Sequence, residues 1–239
     1  MDRSQPVTPA LENDLRNLAS LNRWFGSHRL LRFFLARWLQ PGRSYRVLDL
    51  ATGVGDLPRV MVDWARARGI TLRIDAVDAN GSTLQIARAE SRGYPEIDYV
   101  RGNILTFEGG ESYDLVCCSL ALHHFSEDEA VVLLRRCHSL SHRFVLVSDL
   151  ERSAATLAGI QVLTTFIYRD PMTRADALTS ARRAFSFPEF RALAEAANWR
   201  GFGHARFLFC RQALWLDEQQ AGAIPVADES VAEGLPCPT

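Results

Sequence analysis

The sequence predicts an α/β fold: a doubly wound, mostly parallel seven-stranded sheet with an N-terminal helical cap. Three observations predict it. Strand-like and helix-like stretches alternate from Tyr45 to Leu150, an order that gives parallel strands with right-handed crossovers and helices on both faces. A length of 239 residues suits one large core. A glycine-bearing turn follows the first strand, where sheets of this kind receive ligands.

The elements follow in order. Leucines at 11, 15, 18 and 21 recur at helical spacing until Gly26 interrupts them, which predicts a short amphipathic helix. Ser27 is the expected N-cap of a second helix, with Leu30, Leu31, Phe34, Leu35 and Trp38 as its apolar face and Pro41-Gly42 as its end. These helices form the expected cap, residues 1–44, which either packs on the sheet or roofs its crevice. Strands are expected at Tyr45 to Leu50, Leu72 to Val77, Ile97 to Val100, Tyr113 to Ser119 and Arg143 to Leu150. Helices are expected between them at Leu57 to Arg68, Ser82 to Ser91 and Glu127 to Leu140. A helix from Pro188 to Ala197 and strands at Gly203 to Phe207 and Gln212 to Leu216 close the domain, residues 45–218. Glu151 to Phe187 is too long for a crossover turn and opens with an apolar helix near Leu157 to Ile167, a lid-like insertion. Residues 219–239, with Pro225, Pro236 and Pro238, read as a flexible tail.

Composition excludes several classes. Hydrophobic residues make up 47% of the chain, yet no apolar run approaches the roughly 20 residues that span a bilayer. The polar N-terminus lacks a secretory signal, so a cytoplasmic location is expected. Five cysteines form no C-x-x-C pair, which argues against a disulfide framework or thiolate metal site. Basic and acidic residues nearly cancel, 27 against 28, so nucleic-acid binding lacks its electrostatic footprint. All 27 basic residues are arginine. Without lysine, Schiff-base chemistry, a Walker-A phosphate site and a lysine base are ruled out.

The sharpest signal is Asp49-Leu50-Ala51-Thr52-Gly53-Val54-Gly55-Asp56-Leu57-Pro58, a strand end running through a turn into a helix. Glycines there let backbone approach a ligand, and the helix N-terminus offers free N–H groups. Asp78 ends the second strand 23 positions after Gly55 (78 − 55), near the spacing of roughly 20 at which an acid accepts ribose hydroxyls. A dinucleotide fingerprint needs a small third residue where this chain has Pro58. An adenosine ligand without phosphates fits better.

Four motifs then resemble the class I S-adenosylmethionine-dependent methyltransferases, and among them the ubiquinone/menaquinone C-methyltransferase group and its small-molecule relatives. Asp49 to Asp56 is similar to that group's D-x-A-x-G-x-G-D loop, Asp78-Ala79-Asn80 to its D-x-N ribose motif, Gly102-Asn103-Ile104 to its adenine step, and Tyr113 through Leu120 to its fourth-strand motif. The resemblance implies S-adenosylmethionine as cofactor. It implies that Asp49, Ala51, Thr52, Gly53, Gly55 and Asp56 hold the methionine part, and Asp78 with Ala79 and Asn80 the ribose. Asn103 and Ile104 would then meet the adenine, with Ser119 and Leu120 near the sulfonium. Where the quinone-modifying group carries an arginine-asparagine pair after the fourth strand, this chain has Leu122-His123-His124-Phe125.

His123 and His124 follow the fourth strand just before Ser126 and Glu129, a capping box for the next helix. A histidine with a free pKa of about 6.5 can take a proton from a phenol of pKa about 10. Either histidine is a candidate general base, and Asp149 and Glu151 are candidates to face the substrate. The expected reaction is O-methylation of an apolar, phenolic or polyketide-like small molecule. C-methylation of a quinol or electron-rich ring is one alternative; a non-catalytic S-adenosylmethionine-binding protein is the other. No catalytic metal is expected, and a homodimer is compatible with the sequence.

Overall fold

The computed structural model describes residues 13, 15–17, 20, 26–110, 112–166 and 171–218. Most of the helix expected at Leu11 to Leu21, and all of the tail expected at 219–239, lie outside the described residues.

The elements run α1 (Ser27–Trp38), β1 (Ser44–Leu50), α2 (Asp56–Arg66), β2 (Thr71–Asp78), α3 (Gly81–Glu90), β3 (Ile97–Arg101), β4 (Tyr113–Ser119), a 3₁₀ turn (Leu122–His124) and α4 (Glu127–Leu140). They continue with β5 (Ser141–Leu150), α5 (Ala154–Phe166), α6 (Pro171–Arg183), α7 (Phe187–Ala196), β6 (Gly203–Phe207) and β7 (Arg211–Asp217). The seven strands order as β3-β2-β1-β4-β5-β7-β6. Strands β1 to β5 pair in parallel, and β7 runs antiparallel to both β5 and β6. Chain order reverses between β1 and β4, the switch point where a doubly wound sheet opens a crevice at its carboxyl edge.

Two apolar layers flank the sheet. On one face, α1 and α2 bring Leu31, Phe34, Leu35, Trp38 and Met61 against Val47, Ile74 and Phe144; Trp38 stacks on Phe144 with ring centroids 4.9 Å apart. On the other, α4 and α7 bring Leu133, Leu134, Phe190 and Leu193 against Leu48, Val116, Val145 and Leu214. The helix expected at 27–38 as part of a cap is thus built into the sheet layer, because its five-residue apolar stripe finds more apolar partners there than over a ligand crevice. Ser27 is not its N-cap. Gly26, in a left-handed conformation at φ 86°, takes that position, and Ser27 is buried in the first turn.

The capping box at α4 is present: Ser126 Oγ accepts from the Glu129 amide at 3.3 Å, and Glu129 Oε2 accepts from the Ser126 amide at 3.0 Å. A second box, Ser186 with Glu189, starts α7. The stretch 151–187 holds two helices, α5 and α6, packed on each other, where the apolar pattern had suggested one. The polar sequence of α6 has a weak amphipathic period, which hides it from a reading by hydrophobicity.

Candidate active site

The carboxyl ends of β1, β2, β4 and β5, roofed by α5 and α6, enclose a cavity of about 1260 Å3. Its floor begins at Asp49, the penultimate residue of β1, which pairs with Ala76 on one side and Cys117 on the other. This places a carboxylate at the switch point with 2% of its surface exposed. Burial pushes the Asp49 carboxyl up to about 7. The Thr52 hydroxyl is near enough to favour the charged form, although it makes no hydrogen bond of good geometry; Asp56 and Asp78 push the value up further.

After β1 the backbone turns through left-handed conformations at Ala51 (φ 59°), Gly53 (φ 58°) and Gly55 (φ 72°). Ala51 adopts there what glycine adopts without strain. At Gly55 no other residue fits: an added Cβ would lie 2.0 Å from the Tyr99 hydroxyl. The turn is tied to β2, with the Thr52 amide donating to the Val77 carbonyl at 3.0 Å and the Gly53 amide to Asp78 Oδ2 at 2.9 Å. No side chain caps α2, so its first-turn N–H groups face the turn unclaimed by a side chain.

Asp78 closes β2. Its other oxygen accepts from the Asn80 amide at 2.8 Å, and burial still raises its pKa against these bonds. Two accepted hydrogens leave a carboxylate with lone pairs for two more donors. Asn80 caps α3, its Oδ1 accepting from the Ser82 and Thr83 amides, while Ala79 beside it is exposed at the cavity. Asn103 Oδ1 accepts from the Leu105 amide at 3.0 Å, and Ile104 is buried next to it. Leu120, at φ 56°, donates its amide to the Ser148 carbonyl at 2.8 Å, and the Ser119 and Ser148 hydroxyls meet at 3.0 Å. All the cofactor-site candidates read from the sequence, Asp49, Ala51, Thr52, Gly53, Asp56, Asp78, Ala79, Asn80, Asn103, Ile104, Ser119 and Leu120, line the one cavity. Gly55 alone does not; it sits behind the turn, against Tyr99.

The two histidines separate sharply. His123 is buried at 4% exposure; His124 is exposed, its ring centroid 4.2 Å from that of His123. Parallel pairing of Ser119 with Ser148 sets the ends of β4 and β5 side by side, so the 3₁₀ turn after β4 meets Asp149. His123 Nδ1 lies 2.7 Å from Asp149 Oδ1, and the His123 amide donates to Asp149 Oδ2 at 3.0 Å. The Leu150 amide adds a third donor at 2.7 Å. Burial alone would raise the Asp149 pKa, but His123 and these bonds outweigh it and hold the carboxyl below its ordinary value. An ionised Asp149 only accepts, so the imidazole donates from Nδ1; in the neutral ring this makes Nε2 the acceptor. Nε2 is buried with no hydrogen-bond partner, and His123 is among the residues that line the cavity.

Sequence reading had named Asp149 only as one of two carboxylates near the site. Glu151, the other, turns away to an ion pair with Arg206 at 2.9 Å. It missed two groups entirely. Arg211 on β7 pairs in register with Leu150, is 5% exposed and lines the cavity; burial pulls its pKa down to about 10, with Asp149 opposing. Asp176 on α6 also lines the cavity. No local pattern marks either, since an antiparallel strand and a polar helix bring them in. His28 is half-buried with Nε2 3.5 Å from Asp56 Oδ2. Cys117, Cys118 and Cys137 are buried and their thiols pushed up, which makes them poor nucleophiles. Among the described residues no group of His, Cys, Asp and Glu is arranged to hold a metal ion, and no helix is long and apolar enough to cross a membrane.

A turn of small residues, an acid at the end of β2 and a crevice at the switch point are the parts of a nucleoside-binding doubly wound domain. Residues 47–142 match the family model described as a methyltransferase domain. The chain carries a class I S-adenosylmethionine-dependent methyltransferase domain. It is 34% identical over 92 residues to a 2-phytyl-1,4-naphtoquinone methyltransferase of Thermosynechococcus vestitus, a match covering 36% of this chain and 40% of that protein. It is 30% identical over 109 residues to the ubiquinone/menaquinone biosynthesis C-methyltransferase UbiE of Erwinia tasmaniensis, covering 44% and 42%. The matches thus span less than half the length of either curated relative. Among solved structures, the plantazolicin methyltransferase BamL, in complex with a triazolic desmethylPZN analog and SAH, superposes with a TM-score of 0.66 at 12% identity, covering 87% of this chain and 90% of that one. That likeness extends the shared fold over nearly the whole chain.

Proposed function

We propose that this protein transfers a methyl group from S-adenosylmethionine to an oxygen of a small, largely apolar aromatic or polyketide-like molecule, with His123 as general base. The observation that carries this reading is the His123–Asp149 pair in a residue that lines the cavity, which leaves Nε2 unpartnered. The residues present fit the cofactor. Asp49, at the base of the turn, suits an ammonium group; Asp78 has acceptor capacity left for ribose hydroxyls; Asn103 and Ile104 offer an edge and a face to adenine. When bound, S-adenosylmethionine supplies an electrophilic methyl group on a sulfonium.

What the chain itself must do is orient the acceptor, exclude water and take a proton. The acceptor hydroxyl gives its proton to His123 Nε2, and Asp149 holds the imidazolium that results, as the carboxylate partner of a catalytic histidine does. The oxygen's freed electron pair forms the new O–CH3 bond. His124 also lines the cavity; His123 is the favoured base because its ring is buried and oriented by Asp149, whereas His124 is exposed. The α5 wall, with Gly159, Ile160 and Val162 on the cavity, supports an apolar acceptor.

A second reading, C-methylation of a quinol, is favoured by the two quinone methyltransferases among the sequence relatives. The same base would serve it by forming a phenolate whose ring carbon is then nucleophilic. One experiment separates the readings: incubation with methyl-labelled S-adenosylmethionine and a panel of phenols and quinols, with the methylated atom located by NMR. An O-methyl product supports the first and a ring-methyl product the second; cofactor binding without labelled product sinks both.

A further inference from the structure

Asp176, among the residues that line the cavity, carries a buried polar atom that neither cofactor binding nor proton removal uses. Asp176 Oδ2, on α6, is closed off from bulk water and has no hydrogen-bond partner. Helix α6 turns Asp176, Ala177, Ser180 and Arg183 toward the cavity, a spacing that puts them on one helical face. The face of α5 opposite presents Thr156, Gly159, Ile160 and Val162. The roof is therefore the more apolar on its α5 side and the more polar on its α6 side. Helix α6 also packs against the 3₁₀ turn that carries His123, and His123 and Asp176 line the same cavity. Arg183 and Arg211 line it as well, yet Asp176 Oδ2 bonds to neither.

A buried carboxylate oxygen without a donor costs free energy that a ligand recovers by supplying one. A carbonyl or ether of the ligand would be repelled there; a hydroxyl or amino group fits. We infer that the methyl acceptor carries two hydrogen-bond donors, the hydroxyl that is methylated at His123 and a second hydroxyl or amino group held by Asp176, which sets acceptor specificity and orientation. The acceptor class is then a dihydroxylated or amino-hydroxylated aromatic whose ring faces α5. This rests on the methyl-transfer reading above and narrows it.

The test is calorimetric titration of the protein saturated with S-adenosylhomocysteine, using 1-naphthol, 2-naphthol and the dihydroxynaphthalene isomers as probes. At least one diol is expected to bind about tenfold more tightly than either naphthol, the worth of one hydrogen bond to a charged acceptor. Asp176→Leu should erase that advantage while leaving naphthol and S-adenosylhomocysteine affinities within about twofold, which also shows that the variant folds. Equal binding of diols and naphthols by the unaltered protein overturns the inference, as does an equal loss for both in Asp176→Leu. If S-adenosylhomocysteine binds and no naphthalene does, the acceptor class is wrong and the cofactor reading stands. Failure of S-adenosylhomocysteine itself to bind removes the methyl-transfer reading beneath it.

Discussion

The two halves of the cavity are built in different ways. The half under β1, β2 and β3 is made of short runs, Asp49 through Asp56, Asp78 through Asn80 and Asn103 through Ile104, that bond largely within themselves and are tied across neighbouring strands mainly through backbone groups, the Thr52 amide to Val77 and the Gly53 amide to Asp78. The half under β4, β5 and β7 is assembled at long range. Asp149 reaches back 26 residues to His123, Arg211 arrives on an antiparallel strand, and Asp176 arrives on the roof. The first half needs one geometry for one ligand, and backbone is the cheapest way to fix it. The second half uses side chains on separate elements, which can change without disturbing the turn, and that is where acceptor choice is expected to reside.

This contrast predicts that the two halves fail separately. The largest effect is expected from His123→Ala, which should lower kcat by about 10²- to 10⁴-fold while calorimetry shows cofactor affinity within about twofold of the unaltered protein; a comparable loss of cofactor affinity would merge the halves.

Asp49 comes next. Its folded pKa of about 7 lies above the unfolded value of about 3.9, so the folded state binds the extra proton between those pH values. Stability without cofactor therefore falls as pH rises from about 4 to about 7. Asp49→Asn should flatten this dependence and raise stability at pH 8 by on the order of 2–4 kcal/mol, read as Tm across pH. A cofactor ammonium favours the carboxylate, so cofactor affinity should rise with pH up to about 7 and lose this dependence in the variant. An unchanged Tm profile in Asp49→Asn would place the titration elsewhere.

Gly55→Ala should cost about 2–3 kcal/mol, since it adds backbone strain at φ 72° to the contact with Tyr99. It should weaken cofactor binding as well, because the displaced backbone is the turn itself. Adding Tyr99→Phe, which removes the hydroxyl nearest the new Cβ, should recover part of the loss in both denaturant melts and calorimetry. The smallest effect belongs to Ser126→Ala, about 1 kcal/mol from the lost α4 cap, with cofactor affinity unchanged; a chemical denaturation curve checks it.

The legibility of the chain follows the same division. Strand β4 was readable because a buried parallel strand leaves a continuous apolar run, and the Ser126–Glu129 box because capping acts over three residues. The cofactor-half candidates from Asp49 to Leu120 were readable as motifs, and the structure gathers all but Gly55 on one cavity wall. Helix α6 was not readable as a separate element, since its polar face looks to a ligand site instead of a core. For the second N-terminal helix the sequence left two roles open, packing on the sheet or roofing the crevice, because an apolar stripe does not say which surface it will cover; here it covers the sheet.

By itself, then, the sequence determined the doubly wound sheet, the turn after Asp49 and the absence of lysine chemistry, because periodicity, turn geometry and composition act over short stretches of chain. Only the tertiary structure decided which histidine is buried, gave it Asp149 as a partner and brought Asp176 and Arg211 to the same cavity. Those choices depend on strand register and on roof packing. Both are set by the summed burial of elements that lie tens of residues apart, and no local pattern encodes that sum.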